Sequence, residues 1–336
     1  MRIFRLLLLP VLFLSCSLAG LPTALTAAGE EAAPRLPPTP RFKTDPRKIL
    51  GGEELPAERP APSGPGLAVR YPQDRGIEDD PDVIFATGFE PEDWLSAWSY
   101  AQVEPHTYRT IAAAPGLGFE PLVGKALEVV LFKGHSMALN MLYKFKQETG
   151  EEPEEVYFRY YLRLGRDWQP SVQGGKFPGI AGTYDKAGWG GRRSDGFNGW
   201  SMRGSFGLIG RQGAPAGHTP VGTYAYHAHL AGTYGEHWPW SLAGSGALAR
   251  ERWYCIEQYV KMNSLRWDDG VMRVWIDGAL ALNERTVRYR HVERLKIDRI
   301  WMNIYHGGRA KSPRDMHLFI DNVVVARRYI GPMAER

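Results

Sequence analysis

From "DVIFATGFE" to "DNVVVARRYIG" the chain runs through strand-like apolar stretches and Gly-rich turns, and the clearest stretch alternates apolar and polar residues with a period of two. In "EEVYFRYYLRLG", Val156, Phe158, Tyr160, Leu162 and Leu164 share one face of a strand, and Tyr157, Arg159, Tyr161 and Arg163 share the other. The first face reads as core. The second is either an outer surface on which arginine stems cover tyrosines or the floor of a groove for an anionic chain. "ALEVVLFKG", "MALNMLYKF", "WYCIEQYVKMN", "VMRVWIDGALA" and "IDRIWMNIY" read as further strands, with "DDG" and "IDG" as hairpin turns. Antiparallel strands without intervening helical patterns predict an all-β fold, an antiparallel β-sandwich or β-jelly roll. No fixed-period repeat, heptad run or Gly-rich phosphate loop is present, which disfavours a nucleotide enzyme.

Composition supports this: 38 Gly, 25 Pro, 11 Trp and 16 Tyr among 336 residues favour turns and strands over long helices. The start, "MRIFRLLLLPVLFLSCSLAG", has a basic end and an uncharged run from Leu6 to Leu14, the pattern of a secretory signal. Residues 1–28 are expected to be that signal, with Thr26 and Ala28 suited to a peptidase. Ser15 before Cys16 offers the alternative of a lipoprotein box, with a lipid anchor on Cys16. The apolar run is interrupted by Pro10, and no later stretch approaches the ~20 apolar residues of a membrane span. Residues 29–80 ("APRLPPTPRF", "ELPAERPAPSGPG") read as a coreless, disordered tether, and 81–336 as one domain. With Cys16 lipidated or removed, Cys255 has no partner and reads as a small buried residue. A formal charge of +4 spread over this length creates no strong field, so nucleic acid is not an expected partner. A monomer is expected.

Three segments carry candidate chemistry: "GGKFPGIAG" around Lys176, "GWSMRGSFG" around Ser201 and Arg203, and "GTYAYHAH" around Tyr224 and Tyr226. Residues two apart share a strand face, so Ser201 joins Arg203, and Tyr224 joins Tyr226. Each pair alone suits packing as well as catalysis. Together they suit β-elimination in a uronic-acid polymer. There a base removes the C5 proton, a cation neutralises the adjacent carboxylate, and an acid protonates the departing O4. Arginine pairs with a carboxylate in fork geometry. A phenol becomes a usable base when nearby cations lower its pKa, and a desolvated lysine serves either as that cation or as the base itself. The basic loop "GGRRSDG" presents Arg192 and Arg193, read either as substrate-binding residues or as a solvated turn.

"KFPGIAG", "GGRRSDGFNGWSMRGSFG", "GTYAYHAH", "YGEHW", "RWYCIEQYVKMN", "DGVMRVWIDG" and "FIDNVVVARRYIG" occur in an order that resembles family 14 polysaccharide lyases, over roughly Asp82 to Gly331. The resemblance implies a concanavalin-like β-jelly roll that cleaves alginate or glucuronic-acid polymers without a redox cofactor. It places Lys176, Ser201, Arg203, Tyr224 and Tyr226 where the family's active-site lysine, serine, arginine and paired tyrosines lie. "RQGAPAGHTP" reads as a longer loop than some relatives have.

Rival readings remain at this level. His227 and His229, facing away from the tyrosines, could join His218 and His237 as zinc ligands, although the cupin spacing is not reproduced. A glycosidase needs two carboxylates flanking the bond, and Asp268, Asp269, Asp277 and Asp321 sit in apparent turns. Ser201 lacks the Gly-x-Ser-x-Gly elbow of a serine hydrolase. A noncatalytic carbohydrate-binding or surface-attachment module on the same fold is the alternative to an enzyme.

Overall fold

The computed structural model describes residues 59–102, 106–207, 216–242, 244 and 246–334. The expected signal, Cys16, most of the tether and most of the "RQGAPAG" loop lie outside these residues. The strands are β1 (Val83–Thr87), β2 (Tyr100–Ala101), β3 (Tyr108–Ile111), β4 (Ala126–Leu131), β5 (Met137–Lys144), β6 (Glu155–Leu164), β7 (Gly175–Gly182) and β8 (Trp200–Phe206). They continue as β9 (His218–Tyr226), β10 (Glu236–Pro239), β11 (Ala247–Ala249), β12 (Trp253–Lys261), β13 (Gly270–Ile276), β14 (Ala279–Val287), β15 (Arg299–His306) and β16 (Met316–Ala326). A single short α-helix is found among the described residues, Phe145–Thr149, and no helix there is long and apolar enough to cross a membrane.

The strands form two antiparallel sheets of a jelly-roll sandwich, as the alternation predicts. One runs β14-β13-β12-β6-β16-β4-β3, with β1 on β16; the other runs β10-β9-β8-β7-β15-β5-β2, with β11 on β9. Strands distant in sequence lie side by side: β15 sits between β5 and β7, and β6 between β12 and β16. The core lies between the sheets. Phe158, Tyr160 and Leu162 of β6 share it with Trp200 and Met202 of β8 and with Ile300, Met302 and Ile304 of β15. Period two therefore sends Ser201, Arg203 and Ser205 of β8, and Trp301, Asn303 and Tyr305 of β15, to the far side of the second sheet. The "IDG" turn joins β13 to β14 with Asp277 and Gly278 both at positive φ (51° and 80°), the backbone of a type I′ hairpin. Cys255 is buried on β12, and burial pushes its thiol up to about 12, which leaves it unreactive.

The outer face of β6 is neither of the two surfaces its sequence suggests. Tyr157 and Tyr161 are buried there, and Arg159 is 0% exposed. The covering material includes the end of the expected tether. Leu67, Ala68 and Ile77 form a second apolar layer with Tyr157, Tyr259, Trp275 and Tyr329, and the Leu67 and Ala68 amides donate to the carbonyls of Tyr329 and Ile330 at 3.0 and 2.9 Å. Asp74 of the same segment forms an ion pair with the Arg159 guanidinium, which also donates to the carbonyls of Gly331 and Asn322. The segment expected to be coreless up to residue 80 thus adds core from Leu67 onward. The alternation registered an amphipathic strand, but not that distant apolar residues would roof its polar side.

Candidate active site

The far side of the second sheet carries one continuous row of residues in register: His237 on β10, Tyr224 on β9, Arg203 on β8, Gly179 on β7 and Trp301 on β15. The local fold of "GGKFPGIAG" makes this row. Pro178 cannot donate to a sheet ladder, and the register of β7 slips between Lys176 and Gly179 against both neighbours. The irregularity lets Phe177 enter the core while Lys176 lines the site. Gly179 then leaves a gap in the row. A Cβ there would lie 2.2 Å from the Met202 carbonyl oxygen and 2.4 Å from the Arg203 Cα. Without one, the Arg203 guanidinium crosses β7, stacks on Trp301 at 4.5 Å and donates from Nη1 to Asn303 Oδ1 at 3.0 Å. Trp301 is itself held by its Nε1 donating to Asn140 Oδ1 at 2.8 Å.

Lys176 Nζ lies 3.9 Å from the centroid of the Tyr224 ring. Both cations are buried, Lys176 at 6% and Arg203 at 5% exposure, and among the described residues neither has a carboxylate within ion-pair distance. Among the described residues Arg203 Nε has no hydrogen-bond partner. Burial, and then the neighbouring Arg203 charge, lowers Lys176 to about 7; burial lowers Arg203 to about 10. The phenol moves the other way: burial, reinforced by Tyr226, raises Tyr224 above its ordinary value, and Arg203 offsets only part of this. The cations therefore do not bring the Tyr224 phenol down, as its sequence context suggests, because desolvation outweighs them.

The two tyrosines have different surroundings. Tyr224 is half-buried beside Lys176, whereas Tyr226 is 0% exposed, with its ring edge-on to Tyr224 and its hydroxyl accepting from the Gly191 amide at 3.3 Å. Ser201 is also fully buried, and its Oγ donates to the Gly188 carbonyl at 2.6 Å rather than to a tyrosine. Both side chains thus anchor the loop that follows β7. That loop carries Trp189, edge-on to Trp301 at 6.3 Å, with Arg192 stacked on it at 4.5 Å. Arg192 is therefore joined to the row through two indole rings. Arg193 is exposed, and only its carbonyl is engaged, by Asn198.

The other candidates disperse. His227 lies 3.5 Å from Glu236, His229 lies 3.5 Å from Asp268, and His218 contacts the Ala216 carbonyl. Among the described residues no group of three or more His, Cys, Asp or Glu is placed to hold a metal. Asp268, Asp269 and Asp277 brace turns, but Asp321 is buried within β16, where burial pushes its carboxyl up to about 8. Sequence reasoning missed Ser205, Trp301 and Asn303, and weighed His237 only as a zinc ligand. His237 stands beside Tyr224 with ring centroids 4.8 Å apart, and its Nδ1 lies 3.4 Å from Ser205 Oγ. The alternation in "IDRIWMNIY" already put Trp301 and Asn303 on one face; it carried no sign that β15 would pair with β7.

Comparison with known proteins agrees with this architecture. A PL-14 alginate lyase from Aplysia kurodai superposes with a TM-score of 0.54 at 14% identity, covering 72% of this chain and 98% of that one. Alginate lyase vAL-1 from Chlorella virus gives 0.54 at 18% identity, over 73% and 99% of the two chains. Alginate lyase Aly36B gives 0.50 at 20% identity, over 65% and 86%. These likenesses show a shared fold. No curated protein matches the sequence. The model of the polysaccharide lyase 14 family, however, matches residues 126–323, from the first residue of β4 into β16 and across the site row from Gly179 to Trp301. The chain belongs to the polysaccharide lyase 14 family.

Proposed function

We propose that the protein is an exported lyase that cleaves a uronate-containing glycan, of the alginate or glucuronan kind, by β-elimination. The observation that carries this reading is the buried Arg203 guanidinium, which among the described residues has no carboxylate partner, with the buried Lys176 amine beside the half-buried Tyr224 phenol on the same sheet face. Desolvated charges of one sign are costly unless an anion completes them, and a uronate carboxylate is such an anion. The alginate lyases of the same fold support the same substrate class, and the basic, then apolar pattern of the first residues is the ground for reading the protein as exported.

Arg203, held by Asn303 and Trp301, pairs with the carboxylate and takes up the charge that develops on it. Neutral Lys176 removes the C5 proton, the electron pair forms the C4–C5 double bond, and the C4–O4 bond breaks. Tyr224, kept protonated by its raised pKa, gives its proton to O4. The Lys176 ammonium, packed on the Tyr224 ring, then returns a proton to the phenolate, and both groups are restored without a co-reactant. Tyr226 and Ser201 hold the loop bearing Trp189 and Arg192 against the substrate.

Incubating the purified protein with alginate, glucuronan and related polymers while following the ultraviolet absorbance of unsaturated products tests the reading. Silence across the uronate panel would sink it, and retention of polymer without product would leave a binding module. The pH profile tests the roles. Lys176 is lowered to about 7, so its neutral fraction grows as pH rises through that value, and kcat/KM should climb from about pH 6 to 8. A bound carboxylate favours the ammonium, so the corresponding limb of kcat should lie at higher pH. A fall in kcat/KM across the same range would make Lys176 the neutralising cation and a tyrosine the base.

A further inference from the structure

The row through the site does not stop at Trp301. Leu142 on β5 pairs in register with Trp301, and Tyr100 on β2, the last strand of that sheet, pairs with Leu142. The core takes the alternate residues of these strands: Leu139, Met141 and Tyr143 of β5 belong to it, and Ala101 packs against it. Leu142 and Tyr100 therefore stand on the same face as Arg203 and Trp301. Tyr100 is 44% exposed, a large apolar side chain open to solvent at the sheet edge.

The geometry points to Trp301 and Tyr100, on either side of the buried Leu142 (7% exposed), as a binding track for the extended polyuronate chain, with Tyr100 as its outermost sugar platform; this rests on the lyase reading above. Four strand steps of about 4.8 Å put Tyr100 roughly 19 Å from Arg203 along the row. In the other direction, among the described residues, the row has only Tyr224 and His237 before the β10 edge, two steps or about 10 Å away. The track is thus lopsided. It is aromatic and apolar on the β2 side, where the C–H faces of pyranose rings can stack, with Arg192 on Trp189 as a cation for a further carboxylate. The substrate is held by more sugar units toward β2 than toward β10.

Tyr100→Ala tests this, because a uronate trisaccharide seated at Arg203 does not reach 19 Å. KM for the polymer should rise about three- to tenfold with kcat unchanged. Trisaccharide kinetics should stay at the wild-type level, and Tyr100→Phe should keep wild-type values on both substrates. An equal change on polymer and trisaccharide, or an unchanged polymer KM, would overturn the track. Should the wild type release no unsaturated product from any uronate, the lyase reading fails. The track is then read by native gels cast with alginate: weaker retardation of Tyr100→Ala than of wild type upholds it, and equal retardation removes it.

Discussion

Arg203→Ala is expected to lower kcat/KM on the uronate polymer by about 10³-fold or more, the scale of removing a preorganised charge from a desolvated site. The guanidinium is the group that can neutralise the carboxylate next to the acidified carbon, and it is pre-set by Asn303 at 3.0 Å and by the Trp301 ring. Arg203→Lys should recover little, because a compact ammonium on a flexible stem has no planar fork with which to stack on the indole and hold a carboxylate at two points. Stability should move in the opposite sense. Arg203 is buried with Nε unpaired, so its removal relieves a desolvation cost, and the melting temperature should stay level or rise. Steady-state kinetics and thermal unfolding of the same two variants give both readouts. A variant that keeps activity, or loses it together with its fold, would contradict this account.

Asp74→Ala should have the largest effect on stability, a loss of about 3–5 kcal/mol. Arg159 is 0% exposed, and Asp74 supplies its only carboxylate among the described residues; the carbonyls of Gly331 and Asn322 are the other acceptors. Asn322 Nδ2 also donates to Asp74 at 2.9 Å, so the substitution leaves a second buried donor with only the weak Met333 sulfur acceptor at 3.8 Å among the described residues. Against a typical total of about 5–15 kcal/mol, that loss is large enough to shift urea and thermal midpoints plainly. The pair lies on the outer face of the first sheet, across the sandwich from Lys176 and Tyr224. Activity per folded molecule should therefore be unchanged at low temperature. Replacing both partners, Asp74→Leu with Arg159→Leu, should cost less than Asp74→Ala alone, because no buried charge is left unpaired. A single variant within about 1 kcal/mol of wild type would mean that water replaces the carboxylate.

The sequence by itself determined which residues share a strand face. Phe158 with Tyr160, Ser201 with Arg203, and Tyr224 with Tyr226 follow from a period of two, and that period is a property of the extended backbone alone. The order of motifs from "KFPGIAG" to "FIDNVVVARRYIG" was also legible, and with it the family. Only the tertiary structure decided what those faces meet. It placed β15 beside β7, so that Arg203 found Trp301 and Asn303 a hundred residues away, and it brought His237 to Tyr224. It roofed Arg159 with a segment that reads as a spacer. It also separated two tyrosines that look alike in "GTYAYHAH": Tyr224 is half-buried beside Lys176, and Tyr226 is sealed under the Gly188–Gly191 loop. The directions of the pKa shifts belong to this second class, because burial pushes Lys176 down and Tyr224 up. Alternation is set by neighbours in the chain, whereas strand order, cover and desolvation are set by contacts between residues far apart in it.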